Sequence, residues 1–505
     1  MASTVFSPGT LIQSDWLNDV NTDVYTPHIT TFNTRTGAVT LTGTDVTNAL
    51  GYTPSVDRIS VTQYGAVGDW NGTTGTNNTP FFQAAINAAN ALGAALYVPP
   101  GAYRIVGNLL IDNSTDTGVY SPKMSLYGDG PVSSVLYGDA GTHSVLSIIG
   151  GTSGAGMHSH QTIQGIAIAK DGGGVGIELT NAAFISFRDI MIRGADIGVY
   201  GTDVLSSSFY NCQFLFNLGG VRFERSPTAD GFQSAPNALA FYSCVLGNNA
   251  NYGAWVIGAG NFTYIGGSVE GNGHTGALPT SGKYGILIND GGLESACSLA
   301  VTGTYFEYNH GTADIWLANS TYSSSAFISG CTFNRISNTY YTTHNIYAET
   351  SGVIVSTVQI SGCGFKHYNT YVPSAARYTI NQVQSGGAFN RISWDGCFFS
   401  SATDTPVCRN QSGDVLAYAT VTAAGALAGS TKSMNISSVT KSSTGTYAVV
   451  YRQVSESVSP AITICTYGDY VASIFSSTGA GFTYIVKDRS TGTLTDSVTS
   501  FIAMG

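Results

Sequence analysis

From about residue 160 to residue 400 the chain runs in short bursts of alternating apolar and polar side chains, each stopped by Gly, Asn or Ser. Laid over one another, the bursts read FYNCQFLFN (209–217), FYSCVLGNN (241–249), YIGGSVEGN (264–272) and VTGTYFEYN (301–309), then ISGCTFNRI, ISGCGFKHY and ISWDGCFFS. TIQGIAIAK and SFRDIMIRG upstream fit the same frame more loosely. The anchors Ile166, Ile190, Cys212, Cys244, Gly267, Thr304, Cys331, Cys363 and Cys397 recur every 22 to 37 residues. A repeat of that length is the mark of a solenoid whose units bury their apolar face only by stacking.

Within each unit the anchor and the residue two later (Phe214, Leu246, Val269, Phe306, Phe333, Phe365, Phe399) are small or apolar. That is strand alternation with this face inward. Cysteine suits such a slot because it is small and soft, so Cys212, Cys244, Cys331, Cys363 and Cys397 are expected as a ladder of reduced, buried thiols. Five residues after the anchor stand Asn217, Asn249, Asn272 and Asn309. Asn tolerates left-handed backbone and bonds neighbouring peptide groups, which predicts a stacked Asn ladder at a turn; contact with a ligand is the alternative.

A solenoid must cover the open apolar end of its first coil. Residues 63–105 supply a cover. Thr79 as N-cap and Pro80 at N1 predict a helix with Phe82, Ala85, Ile86, Ala89 and Leu92 on one face and Gly93 as its stop. ALYVPPGAYRI (95–105) then reads as the first strand, turn and strand of the coil.

The two ends differ from this centre. SDWLNDVNTDVY predicts a short amphipathic helix from Ser14 with Trp16, Leu17, Val20 and Val24 on one side, too small to fold alone. FNTRTGAVTLTGTDVTNALGYTP ends in a mini-helix closed by Gly51. After NQSGDV the anchors cease, and YATVTAAGAL, TGTYAVVYRQV, AITICTYG, GFTYIVKD and VTSFIAMG predict about seven short strands of a β-sandwich.

Charge narrows the partners. The 505 residues hold 20 basic and 30 acidic side chains, a formal charge of −10, with only 10% of positions charged. Without a Lys/Arg cluster, a nucleic-acid backbone is not expected as partner. The start, MASTVFSPGTLIQ, has neither a basic segment nor an apolar core of a signal peptide, and no apolar run approaches the roughly 20 residues of a membrane span. The eight cysteines show neither CxxC metal pairs nor a secreted disulfide spacing, and no metal or cofactor is expected.

YGAVGD, FFQAAINAA and LYVPPGAYRI resemble the opening motif of the pectate-lyase-like right-handed parallel β-helix superfamily, over about 45 residues. The acidic residues usual after its Gly-Asp are replaced by WNGTTGTNNT after Gly68 and Asp69. The N-terminal segment resembles one common in bacteriophage tail fibres and tailspikes, and the C-terminal strands resemble the terminal sandwich of such proteins. The resemblance implies an all-β chain: a virion-attachment region (1–56), a parallel β-helix with a capping helix (57–410) and a C-terminal β-sandwich for trimerisation or glycan contact (411–505). It implies a homotrimer made in the host cytoplasm, carried in the virion tail, attached by its N-terminus to a tail or baseplate component, and directed at a bacterial surface polysaccharide.

Chemistry is expected at Glu270 and Glu307, which share the slot three after the anchor on neighbouring units. That slot points outward, and adjacent coils stack about 4.8 Å apart, so the carboxyl groups are expected roughly 5 to 7 Å apart. Glycoside hydrolysis uses two carboxyl groups about 5 to 9.5 Å apart, one giving a proton and one ionised. Asn272, His274, Asn309 and His310 are candidate partners of sugar hydroxyls, with Tyr305 and Tyr308 as stacking faces. Glu224, Asp230, Glu294, Asp314 and Glu349 are alternative acids. A lyase would draw on His274, His310, Lys283 or Arg335, and a fibre that binds glycan without cutting it is the reading from another class.

Overall fold

The computed structural model describes residues 58–115, 123–151, 160–226, 236–258, 260–274, 283–289, 297–319, 324–335, 342–350, 355–367, 378–384 and 389–399, the strands between 415 and 504, and a few residues before 58. The chain divides into residues 1–57 and residues 58–505. In the first unit Thr31–Phe32 pairs antiparallel with Arg35–Thr36. The helices expected from Ser14 and before Gly51 lie outside the described residues.

From Arg58 the chain winds as a right-handed parallel β-helix. Each turn lays one strand on each of three sheets, so neighbours in a sheet are successive coils. The first sheet has twelve strands, from Arg58–Ser60 to Phe389–Asp395; the second has eleven, from Gly101–Ile105 to Phe398–Phe399; the third has ten, from Leu109–Asp112 to Tyr378–Gln384. The helix starts one strand earlier than ALYVPPGAYRI, because Arg58–Ser60 already pairs parallel with Ala95–Tyr97.

Period-two alternation builds the core. On the second sheet Phe214, Leu246, Val269, Phe306, Phe333 and Phe365 stack in register and are buried. Identical side chains on successive rungs stack because the rung spacing is close to aromatic contact distance. Phe187, Phe209 and Phe241 on the first sheet lie 4.6 and 4.4 Å apart, and Phe306, Phe333 and Phe365 lie 4.7 and 4.9 Å apart. Each anchor immediately precedes a second-sheet strand, and the residue before it takes positive φ at Gly165, Asp189, Asn211, Ser243, Gly266, Gly303, Gly330, Gly362 and Gly396, so that this residue and the anchor form a two-residue corner between first and second sheets. Cys212, Cys244, Cys331 and Cys363 are buried free thiols and Cys397 is half-buried. Each thiol donates to a main-chain carbonyl, as Cys212 does to Tyr210 at 3.3 Å and Cys331 to Ser329 at 3.4 Å.

The capping helix is Thr79–Leu92. Phe82, Ala85, Ile86 and Ala89 are buried, and Gly93 at φ 62° ends it. Phe82 meets Tyr103 of the second sheet edge-on at 5.2 Å. Two details differ from expectation. Asn78 is the N-cap, its side chain instead holding Val67 through both main-chain groups, at 2.7 and 2.9 Å. Leu92 is 61% exposed, one turn beyond the packed face.

The described strands between 415 and 504 form two antiparallel sheets. One joins Val415–Val421, Thr499–Met504 and Ala461–Thr466; the other joins Ile436–Ser443, Thr446–Tyr451, Gly481–Asp488 and Tyr470–Thr478. Tyr447 and Tyr484 are buried and stacked at 5.1 Å in the second of these.

Candidate active site on the second sheet

Glu270 and Glu307 are a register pair on adjacent parallel strands, Ser268–Glu270 and Tyr305–Glu307. Both are half-buried on the outer face while Val269 and Phe306 between their neighbours fill the core. Alternation alone therefore sends both carboxylates to one side, and the rung places their main chains about 4.8 Å apart.

Their surroundings differ. Glu307 Oε1 accepts from the Tyr305 hydroxyl and from Asn334 Nδ2, both at 2.7 Å, and Asn334 Nδ2 also reaches the Tyr305 oxygen at 2.7 Å. Asn334 is the rung after Glu307 in the same outward column. Burial, then the bond to Glu307, raises the Tyr305 phenol above its usual range, keeping it a proton donor. Glu270 receives a weaker bond, from Ser268 Oγ at 3.2 Å.

The expected sugar contacts divide. His274 and Tyr308 are exposed. Asn272 and Asn309, by contrast, are 0% and 2% exposed and belong to the internal Asn ladder. Asn249 Nδ2 donates to Asn272 Oδ1 at 2.8 Å, Asn272 Nδ2 donates to Asn309 Oδ1 at 2.9 Å and to Leu246 O at 2.8 Å, and Asn309 Nδ2 donates to Val269 O at 2.7 Å. Their amides are engaged inside the coil, so they are structural and do not meet a polymer. His310 is likewise buried, with Nδ1 3.2 Å from Gly273 O, and burial pushes its pKa down. The ladder continues to Asp314, which accepts from Asn309 at 3.1 Å and from Asn345 at 2.6 Å.

Of the other acids, Asp314 is buried, and Glu224 lies on the third sheet, bonded to Arg222 at 2.6 Å and to the Tyr200 hydroxyl. Glu349 is on the third sheet, in register with Ala318. Asp230 and Glu294 lie outside the described residues. Arg335, weighed for a lyase, is buried, whereas Lys283 is half-buried with a pKa lowered by desolvation. Among the described residues no three His, Cys, Asp or Glu come together to hold a metal ion, and no helix is long and apolar enough to cross a membrane.

The turn after the second sheet adds residues that the repeat displayed but that alternation could not interpret. Gly194, Phe216, Asn248, Gly271 and Tyr308 occupy one column there, all at positive φ. Beside it runs a groove of about 460 Å³ lined by Asp196, Phe216, Leu218, Asn248, Ala250 and His274 among others. The signal lay in the aligned bursts: the position before the ladder Asn reads Phe, Asn, Gly and Tyr, so an aromatic stands where a turn calls for Gly or Asn.

Residues 58–165 match a family model described as rhamnogalacturonase A/epimerase, pectate lyase-like. A comparison with curated proteins finds no match. Among solved structures the chain is similar to ORF18 of Geobacillus virus E2, at 15% identity over 93% of this chain and 81% of that one, TM-score 0.48. It is similar to the gp42 tailspike of Acinetobacter phage vb_AbaP_AS12, at 10% identity over 90% and 83%, TM-score 0.47. It is also similar to the catalytic unit of a thermostable GH87 alpha-1,3-glucanase from Streptomyces thermodiastaticus, at 16% identity over 71% of each chain, TM-score 0.37.

Proposed function

We propose that this chain is a phage tailspike that binds a bacterial surface polysaccharide and cuts its glycosidic bonds at Glu270 and Glu307. The observation that carries the reading is the register pairing of those two glutamates on the outer face of a pectate-lyase-like β-helix. Glu270, lightly held, gives its proton to the glycosidic oxygen as the bond from the anomeric carbon to that oxygen breaks. Glu307, locked by Tyr305 and Asn334, is the carboxylate that either attacks the anomeric carbon, water then releasing the glycosyl ester, or takes a proton from a water as its oxygen bonds to that carbon. Hydrolysis is favoured over β-elimination because two of the groups a lyase would recruit, His310 and Arg335, are buried away from the outer face.

The proposal extends to assembly: residues 1–56 attach to the virion, and the chain works as a homotrimer in the tail, with residues 411–505 assisting association.

The test uses the full-length chain with a panel of bacterial capsular and lipopolysaccharide O-chain polysaccharides, following viscosity and reducing ends. The parent should release oligosaccharides, and Glu270→Gln and Glu307→Gln should each lower the rate at least a hundredfold with fold and glycan binding retained. An ultraviolet-absorbing unsaturated product would instead mark a lyase. Binding with no cleavage by the parent would mark an adhesin, and parental rates in both variants would remove the pair from the mechanism.

A further inference from the structure

Phe216 is 64% exposed and sits at φ 56° in the turn that follows the second sheet. A bulky side chain is strained in left-handed backbone, where the adjoining coils carry Gly194 and Asn248. Exposure removes any packing return for that strain, since Phe216 contributes little to the core. Strain of this kind clusters at functional sites. Tyr308, at φ 51° and 39% exposed, repeats the pattern in the coil of Glu307. Leu215, the outward residue before Phe216, is two rungs from Glu270 through Gly247. Phe216 therefore stands about two rungs, roughly 10 Å, before Glu270, and Tyr308 lies in the coil of Glu307 itself, so both strained aromatics sit in the turn beside the strands of the glutamate pair.

Resting on the polysaccharide reading above, we infer that the groove beside Phe216 is a subsite for an uncharged pyranose unit of the polymer. The Phe216 ring meets the C–H face of the sugar, as aromatic faces meet apolar surface. Asn248, Asp196 and His274 line the same groove and offer hydroxyl partners. Asp196 already accepts from the Gly174 main chain at 3.0 Å, which fixes its carboxylate at the rim. Among the described residues that line the groove are Asp196 and no Lys or Arg, and Lys170, which Asp196 attracts, is buried and donates to Asp139 O at 2.8 Å, so a uronate carboxylate is disfavoured.

The inference predicts a trade of binding for stability. Phe216→Asn copies the residue of the next coil, relieves the strained turn and keeps its main-chain bond to Gly247 O, 3.2 Å in the parent. Its melting midpoint should equal or exceed the parent's, while affinity for a neutral polysaccharide falls about tenfold, as expected for loss of one stacking face. Tyr308→Asn should behave alike.

The probes are immobilised neutral and uronate-containing capsular and O-chain polysaccharides, read by equilibrium binding with Glu270→Gln/Glu307→Gln as the non-cleaving background. Parental affinity in Phe216→Asn overturns the subsite. So does a lower melting midpoint, which would make Phe216 a packing residue, and so does binding by the parent to uronate polymers alone or to none of the panel. Cleavage at the parental rate by the glutamate variants would remove the catalytic pair while leaving the Phe216 binding result to stand or fall by itself.

Discussion

Asn272 shows how one residue type serves two roles that sequence cannot separate. It follows the strand end, where period two no longer assigns a direction, so an exposed sugar ligand and a buried ladder member look the same in the repeat. The structure decides by enclosing its amide. Asn272→Ala should cost about 2 to 4 kcal/mol in a denaturant titration, because it strips the acceptor from the Asn249 amide and the donor from Leu246 O inside the coil. Asn334 is the converse case: it stands three after the anchor Cys331, the slot of Glu270 and Glu307 one coil on, and there it holds Glu307. Asn334→Ala should lower the turnover of polysaccharide about tenfold with little change in melting midpoint, since the side chain fixes a carboxylate on the outer face and fills no core.

Among elements, the capping helix was readable because its apolar positions recur at 3.6 residues between a Pro start and a Gly stop, and Phe82→Ala should destabilise the fold by about 3 to 5 kcal/mol. The strand Thr342–Thr350 carries a pH dependence that composition does not reveal. Burial, aided by Arg335, lowers the His344 pKa from 6.5 to about 4. Between those values the unfolded chain binds a proton that the folded chain does not, so stability is complete above about 6.5 and falls as pH drops toward 4, by roughly 2 to 3 kcal/mol. Asp314, also buried and facing Asn309, Asn345 and Arg335, has its pKa raised by desolvation. It contributes with the opposite sign, its share of stability declining as pH rises above the usual 3.8. The difference in pH slope between parent and His344→Phe, which keeps the 4.4 Å stack on Tyr347, isolates the histidine. A parent and variant with equal slopes would contradict it.

At the scale of the whole molecule, the third sheet carries Trp255, Leu287, Trp316 and Tyr347 on successive rungs, with Leu287 buried beside Tyr252 and Tyr284 and the other three half-buried. A row of half-buried aromatics along one sheet favours association with further copies. For the proposed homotrimer, sedimentation should give a mass near three times 52.6 kDa, and a monomer at micromolar concentration would contradict it.

What the sequence determined by itself was the coil. Its anchors, its alternation and the in-register stacking of Glu270 on Glu307 follow from a short periodic code, because a strand slipped by one residue would turn its apolar side chains to water. What only the tertiary structure decided was the use of each turn. Corners, ladder asparagines and strained aromatics all fall outside the alternating strands, and their direction depends on which neighbouring coil supplies the acceptor. Asn309 is therefore interior, Tyr308 beside it is exposed, and Phe216 faces a groove, although the three stand at equivalent or adjacent places in the same repeat.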